Sequence, residues 1–233
     1  MLIPGTVWRL ERSIDGHARC SGSALATQIA AGRTLRLLQD AEGSRWRVRL
    51  LEDGYPCWIE AGELQDHGRP ARAPAPAGHN RAAVVTRLEE VVAFALAAMD
   101  RPNTYLWGGT LGPDYDCSGL VQSAFAATGI WLPRDAYLQE RFCQAVAVRP
   151  GQYDLLLPGD LVFFGSPQRC THVGLHLGGG RYLHSSGRQH GRDGIGIDDL
   201  HPHNQDPVAC HYRAELRGAG RVMHSHDGSP WPT

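Results

Sequence analysis

The sequence predicts an α+β chain in which a small all-β domain precedes helices packed on an antiparallel sheet. Two observations predict this class: short apolar runs between glycine turns before residue 66, and helical patterns followed by strand patterns after residue 81. A length of 233 residues fits one or two domains. The formal net charge of −1 gives no reason to expect nucleic acid or a membrane as a partner.

Four segments are predicted along the chain. Residues 1–66 form the small β domain, in which Arg45–Leu50 alternates charge and apolarity as a half-buried strand does. Asp53-Gly54 is a typical hairpin turn after that strand. Residues 67–80 are rich in proline and alanine and predict a connector. A second domain covers residues 81–223, and residues 224–233 are expected to be a loose polar tail.

The cellular setting is predicted from the termini and the cysteines. The N-terminus lacks a continuous apolar leader, and no apolar run approaches the 18–20 residues or so that cross a bilayer. We therefore expect a cytoplasmic location. The six cysteines are scattered without a CxxC pair, which favours reduced thiols over disulfides.

Helices are predicted at residues 81–99, from Cys117 onward, and at residues 135–146, where Asp135 is a plausible N-cap. Gly129 is a stop signal for the middle helix. This interpretation places Cys117 on a first helical turn, where unpaired amides favour a thiolate and lower the pKa. A reactive nucleophile is one hypothesis for Cys117, and a buried packing cysteine is the other.

Strands are predicted at residues 160–164, 171–177, 182–185, 195–197 and 210–216. A glycine turn between the second and third of these predicts a hairpin that brings His172 near His184. A thiol that attacks an amide needs a base, and the base needs a group that orients it. His172 and His184 suit these two roles. The alternative is that either histidine packs or caps a strand end.

Four motifs together resemble the NlpC family of papain-like cell-wall peptidases. They are Asp116-Cys-Ser-Gly-Leu, Pro158-Gly-Asp-Leu-Val-Phe-Phe-Gly, His172-Val-Gly and Tyr182-Leu-His-Ser-Ser. The resemblance implies a papain-like catalytic domain in which Cys117 is the nucleophile, His172 the base and His184 the orienting residue. The N-terminal segment looks like a bacterial Src-homology-3-like barrel.

The domain pair is similar to γ-D-glutamyl-L-diamino-acid endopeptidases, which implies a substrate. Such enzymes cut the γ-D-glutamyl–meso-diaminopimelate bond of peptidoglycan stem peptides, and relatives with this domain pair accept peptides with a free N-terminal L-Ala. The expected muropeptide is L-Ala-γ-D-Glu-diaminopimelate, from wall recycling. Asp116 and Tyr55 match the residues that hold the ammonium group, and Ser118 matches a substrate contact.

Some positions and alternatives stay open. Arg134 and Asp135 lie close to the site by resemblance, without an assigned role, and Ala136 stands where some relatives carry a serine that contacts substrate. Asp116 also suits the N-cap of the Cys117 helix. No cofactor and no metal are expected, although a zinc site of Cys117, His172, His176 and His184 is conceivable. A non-catalytic binding module and a related amidase or acyltransferase are the competing functions.

Overall fold

The computed structural model describes residues 2–76 and 78–231. Residues 7–70 contain a seven-stranded antiparallel sheet in the order β3-β2-β6-β5-β4-β1-β7. Its elements are β1 (Val7–Leu10), β2 (Ile14–His17), β3 (Leu25–Ile29), β4 (Thr34–Glu42), β5 (Arg45–Leu50), β6 (Pro56–Glu60), helix α1 (Ala61–His67) and β7 (Gly68–Pro70). Buried side chains such as Ile29, Leu35, Val48 and Ile59 give this domain a core of its own.

The predicted end of the β domain at residue 66 is too early. Gly68–Pro70 pairs with β1 as strand β7, so the connector begins at residue 71. The proline at the end of β7 is compatible with pairing because β7 is an edge strand.

The second domain is a six-stranded antiparallel sheet covered by helices. The strand order is β12-β11-β10-β9-β13-β8. The helices are α2 (Arg81–Val85), α3 (Leu88–Met99), α4 (Cys117–Ala126), α5 (Ala136–Phe142) and α6 (Pro207–Ala214). The strands are β8 (Gln144–Val146), β9 (Leu161–Ser166), β10 (Arg169–Gly178), β11 (Arg181–Ser186), β12 (Gly194–Asp199) and β13 (Leu216–Arg221). A 3₁₀ turn, Arg188–His190, joins β11 to β12.

Helix α4 agrees with the prediction at both ends. Asp116 is its N-cap and accepts a hydrogen bond of 2.7 Å from the Gly119 amide. After Ala126 the chain turns at Gly129, whose φ is +82°, a conformation that suits glycine. The apolar side of α4 packs against α3, β10 and β11, which fixes the helix over the middle of the sheet.

The predicted single helix over residues 81–99 is wrong, because it breaks after Val85. The Ala83 carbonyl accepts hydrogen bonds from the Thr86 hydroxyl (3.0 Å) and from the Arg87 guanidinium (2.7 Å). The Arg87 amide bonds to the Val84 carbonyl instead of continuing the α-helical pattern. Side-chain competition for a backbone acceptor is a known cause of such breaks.

Two further boundaries differ from the prediction. The helix predicted at 135–146 ends at Phe142, and Gln144–Val146 is an edge strand. The strand predicted at 210–216 is wrong, since α6 occupies Pro207–Ala214 and β13 follows it. Asp206 accepts hydrogen bonds from two amides of the first turn of α6, and Pro207 opens that helix, so a start signal was present in the sequence.

The two domains contact each other through polar groups. The Gln28 side chain accepts hydrogen bonds from the Thr110 and Leu111 amides at 3.3 and 3.1 Å. The Gln122 amide donates to Asp53 at 2.8 Å, and both groups are buried. The β domain therefore forms part of the surroundings of α4.

The C-terminal segment is packed on both domains, so the predicted loose tail is wrong for residues 224–231. Ser225 and His226 are each 6% exposed. Their amides donate to the carbonyls of His79 (2.9 Å) and Trp131 (2.8 Å). Residues 232 and 233 lie outside the described residues. Within the described part of the chain, no helix is long and apolar enough to cross a membrane.

Candidate active site

The two histidines predicted to act together are joined by a hydrogen bond. His172 lies on β10 and His184 on β11, and Nε2 of His172 is 2.7 Å from Nδ1 of His184. Both residues are buried, with exposures of 7% and 0%. The predicted proximity of the two rings is confirmed.

A carboxylate that the sequence patterns did not single out continues this chain of contacts. Nε2 of His184 lies 2.6 Å from Oδ2 of Asp198 on β12. Nη2 of Arg192 lies 2.9 Å from each oxygen of Asp198. His184 pairs with Gly196 across the strands, so Asp198 lies diagonally opposite on the same face. The alternation of Gly194–Asp199 was the available signal.

Cys117 is the first residue of α4, which packs against the strands that carry the histidines. Its sulfur is hydrogen-bonded by the backbone of Ser118 and of Val173. Since Val173 follows His172 directly in β10, the sulfur lies beside the strand that bears the predicted base.

The expectation that the helix terminus lowers the pKa of Cys117 is wrong. Burial, with a smaller contribution from the Asp116 carboxylate, raises the pKa of the Cys117 thiol to about 12. The two backbone hydrogen bonds and the Arg134 cation act in the opposite direction, with less effect. Desolvation of a residue only 5% exposed outweighs the helix terminus, so the resting side chain is a thiol at neutral pH.

The imidazoles are also neutral at rest. Burial, followed by the nearby His184, His190 and His211, holds the pKa of His172 well below its usual range. Burial likewise lowers the pKa of His184, although Asp198 opposes it. A neutral imidazole is a competent proton acceptor. The thiol proton can therefore move to an imidazole as the sulfur attacks.

Tyr212 on α6 holds the His172 ring in position. The two rings stack with centroids 4.2 Å apart and an interplanar angle of 22°. The Tyr212 hydroxyl lies 2.7 Å from the Ser186 hydroxyl, which fixes the phenol in turn. Sequence patterns could not identify this contact, because residues 210–216 were expected to be a strand.

Asp116 is engaged in structural contacts, as the capping alternative predicts. Its Oδ1 accepts from the Gly119 amide and its Oδ2 from the Gly108 amide (2.8 Å). The Arg134 guanidinium binds both oxygens, at 3.1 and 2.6 Å, and also the Ser118 hydroxyl at 3.0 Å. The Ser118 hydroxyl donates to Asp116 as well. These contacts fit the capping alternative, and a contact of Asp116 with a substrate ammonium in the cavity that it lines stays a prediction.

Tyr55 and Asp135 form a different polar pair at the domain boundary. The Tyr55 hydroxyl donates to Oδ1 of Asp135 at 3.4 Å. Asp135 is at the N-cap position of α5, as predicted, but its side chain makes no capping hydrogen bond. Burial raises the pKa of both groups, and for Asp135 the neighbouring Arg134 opposes the rise. Asp135 therefore has acceptor capacity that Asp116 lacks.

A cavity of about 250 Å³ connects these groups with Cys117. Its walls come from both domains and include Tyr55, Tyr105, Trp107, Asp116, Cys117, Ser118, Asp135, Ala136, Tyr137 and Arg169. Of the predicted site residues, Tyr55, Asp116, Cys117 and Ser118 thus line one cavity, while His172 and His184 lie in the adjoining sheet. Pockets for drug-sized ligands are typically larger, roughly 300–1,000 Å³, so this volume suits a smaller group.

The residues of the conceivable zinc site are used otherwise. Nδ1 of His176 lies 3.0 Å from the Leu157 carbonyl, and its Nε2 accepts from the Gly180 amide. Across residues 2–76 and 78–231, no group of three or more His, Cys, Asp or Glu side chains is arranged to hold a metal ion.

A cysteine that opens a helix, set against an antiparallel sheet with two hydrogen-bonded histidines, resembles the Cys-His-Asn arrangement of papain-like cysteine peptidases, with a histidine in place of the asparagine. Residues 102–213 match the NlpC/P60 family. The second domain is therefore an NlpC/P60 domain. Residues 17–64 match the bacterial dipeptidyl-peptidase SH3 domain. The resemblance inferred from the four motifs is confirmed.

Curated relatives include two proteins of Bacillus subtilis (strain 168). The chain is 43% identical over 84 residues to a gamma-D-glutamyl-L-lysine dipeptidyl-peptidase, and these 84 residues make up 35% of this chain and 27% of that protein. It is 40% identical over 139 residues to the bifunctional muramidase/DL-endopeptidase CwlT, covering 58% and 36%. The chain thus spans only about a quarter to a third of the length of these relatives.

Of two similar solved structures, the one with a TM-score of 0.50 supports the fold. NlpC2 from Trichomonas vaginalis is 17% identical with a TM-score of 0.50, covering 96% of this chain and 99% of that one. An NlpC/P60 family protein from Bacillus cereus is 23% identical with a TM-score of 0.47, covering 94% and 64%.

Proposed function

We propose that the protein hydrolyses the γ-D-glutamyl–meso-diaminopimelate bond of peptidoglycan stem peptides that carry a free N-terminal L-Ala. The observation that carries the proposal is the pair formed by Tyr55 and Asp135 in the cavity beside Cys117. A half-buried carboxylate that is hydrogen-bonded to a tyrosine and forms no close ion pair is suited to bind an ammonium group. The relative named a gamma-D-glutamyl-L-lysine dipeptidyl-peptidase supports a γ-D-glutamyl substrate.

Asp135 takes the ammonium-binding role that we first expected of Asp116. The Arg134 cation is bonded to both oxygens of Asp116, whereas the hydrogen bond that Asp135 accepts from Tyr55 is long, at 3.4 Å. A substrate whose amine is acylated would cover the Asp135 carboxylate without pairing its charge, which is unfavourable. Ala136 offers no hydroxyl in the same cavity, so the substrate lacks one contact expected from the resemblance.

The proposed reaction begins with transfer of the Cys117 proton to His172 as the sulfur attacks the γ-glutamyl carbonyl. The C–N bond breaks, His172 returns the proton to the leaving amine, and an acyl-enzyme remains. Water then attacks the thioester with His172 as the base, which releases L-Ala-D-Glu and restores the thiol. The Cys117 amide, at the start of α4, has no acceptor within the helix and can stabilise the oxyanion.

The test compares L-Ala-γ-D-Glu-meso-diaminopimelate with its N-acetylated form and with the corresponding L-lysine peptide, by mass spectrometry. We expect release of L-Ala-D-Glu from the free-amine peptide and a kcat/KM about 10-fold or more lower for the acetylated one, since hydrogen bonds to charged groups contribute about 1.5–3 kcal/mol. Asp135→Asn should reduce this preference, and Asp66→Asn, an exposed control with the same change of charge, should not.

Two results would reject the proposal. Equal cleavage of the free and acetylated peptides would exclude Asp135 and Tyr55 as an ammonium site and favour a broader amidase or acyltransferase. Full activity in Cys117→Ala would exclude the nucleophile. Recycling of wall peptides and a cytoplasmic location stay predictions, which fractionation of cells and analysis of their peptide pool would test.

A further inference from the structure

The donor and the acceptor can be assigned in both hydrogen bonds of the chain that joins His172, His184 and Asp198. An ionised carboxylate only accepts hydrogen bonds, so Nε2 of His184 must carry the proton shared with Asp198 at 2.6 Å. In a neutral imidazole the other nitrogen is then an acceptor. Nδ1 of His184 therefore accepts, and Nε2 of His172 donates across the 2.7 Å contact.

This direction determines where His172 keeps its reactive lone pair. With the proton on Nε2, the lone pair is on Nδ1, the ring nitrogen that is not committed to His184. The opposite tautomer would place a proton on Nδ1 and leave His172 unable to accept the thiol proton there. The state of Asp198 is thus transmitted through two rings to the base.

Arg192 is placed to keep Asp198 ionised. Its Nη2 lies 2.9 Å from both carboxylate oxygens, and Asp198 is almost fully buried. Gly196 provides the space, since a Cβ there would lie 2.0 Å from Nη1 of Arg192. A side chain at residue 196 would push the guanidinium away from the carboxylate. The hydrogen bonds with His184 and Arg192 also lower the pKa of Asp198, against the effect of burial.

We propose that Asp198, held ionised by Arg192, is a positioning residue that sets the tautomers of His184 and His172 and so places the lone pair of the base on Nδ1. The inference rests on the proposed role of His172 as the base. Asp198 acts through His184 and touches neither the cavity nor Cys117.

The experiment uses the full chain labelled with ¹⁵N and long-range proton–nitrogen correlation spectra of the histidine rings. The wild type should show protonated Nε2 in both His172 and His184. In Asp198→Asn the amide can donate to Nε2 of His184, so we expect protonated Nδ1 in both rings. With the peptide substrate, kcat should fall about 10²–10⁴-fold, the usual contribution of a correctly disposed base, with KM little changed.

Asp199→Asn is the matched control. Asp199 is adjacent but on the other face of β12, where it accepts from the His201 amide and the Asn204 side chain. We expect unchanged ring spectra and kcat.

Arg192→Gln is a milder second variant. It leaves Asp198 without its cation and should give a mixture of tautomers with a kcat about 10-fold lower.

Several outcomes would overturn the inference. One is a wild type with protonated Nδ1 in His172, and another is Asp198→Asn or Arg192→Gln with unchanged ring spectra. A loss of kcat in Asp198→Asn without a tautomer change would reduce Asp198 to a structural role. The spectra need no substrate, so a failure of the proposed peptide to be cleaved would leave this test intact.

Discussion

Removal of the Arg134 guanidinium should destabilise the protein more than removal of the Arg169 guanidinium, which also lines the cavity. Arg134 is 2% exposed and makes two hydrogen bonds to Asp116, one to Ser118 and one of 3.2 Å to Thr27 of the β domain. Arg134→Met keeps the aliphatic stem but leaves Asp116 as a buried charge without its cation.

The expected magnitude follows from those contacts. Breaking a buried ion pair on one side costs about 3–5 kcal/mol. Asp116 keeps its hydrogen bonds from the Gly108 and Gly119 amides, so we expect the lower limit, about 3 kcal/mol. For a chain of this size each kcal/mol corresponds to about 2–4 °C, which gives a Tm about 6–12 °C lower.

The assay is urea and thermal unfolding of Arg134→Met, Asp116→Asn and the double variant. Because the double variant removes both charges, its loss should be at least about 2 kcal/mol smaller than the sum of the single losses. Arg169→Met is the control, since Arg169 is exposed and stacks on Tyr137 at 4.7 Å, and it should lose less than about 1 kcal/mol. A loss below about 1 kcal/mol in Arg134→Met, or strictly additive losses, would refute the reasoning.

Three further predictions concern backbone strain, pH and thiol reactivity. Gly54→Ala should lower the free energy of unfolding by at least about 1 kcal/mol more than Gly5→Ala: both have positive φ, but only at Gly54 would a Cβ lie 2.1 Å from a carbonyl oxygen of the C-terminal segment. Equal losses in urea unfolding would contradict this. Below about pH 6.5 the unfolded chain binds protons at His172 and His184, whereas in the folded protein both residues stay buried and neutral. The free energy of unfolding should therefore decrease as the pH is lowered, by up to about 1.4 kcal/mol per pH unit for each of the two histidines. His184→Gln should show a shallower slope, and an unchanged slope would disprove the assignment. Alkylation of Cys117 by iodoacetamide, followed by peptide mass spectrometry, should keep accelerating above pH 10, and a plateau below pH 8 would show a thiolate at rest.

The sequence was most informative where periodicity and turn chemistry act locally. The helix after Asp116, its stop at Gly129 and the hairpin that joins His172 to His184 depend on neighbouring residues, and these predictions are confirmed. Helix α6 was missed although Asp206-Pro207 signals its start, because alternating apolar residues were given more weight.

Features that depend on contacts between residues distant in the sequence could not be predicted from local hydrophobic periodicity. Arg134 binds Asp116, which is 18 positions earlier in the sequence. No local sequence signal shows that Arg134 binds Asp116 while its neighbour Asp135 is hydrogen-bonded to Tyr55. The depth of burial that raises the pKa of Cys117 is likewise a property of the assembled domains. The position of Asp198 was predictable in part. Strand alternation places its side chain on the correct face of β12, but only the register between β11 and β12 brings it next to His184.

The docking of the two domains has a consequence for residues 71–76, which belong to no helix or strand. The Gln28, Asp53 and Thr27 contacts come from the β domain itself, and Ser225 anchors the far end of the connector through His79. A protease cut within residues 71–76 should therefore leave a nicked protein that stays assembled and retains its cleft. For the same reason, residues 71–76 can change in length and composition with little effect on catalysis. The contact surfaces of the two domains cannot change in this way without disturbing the cleft.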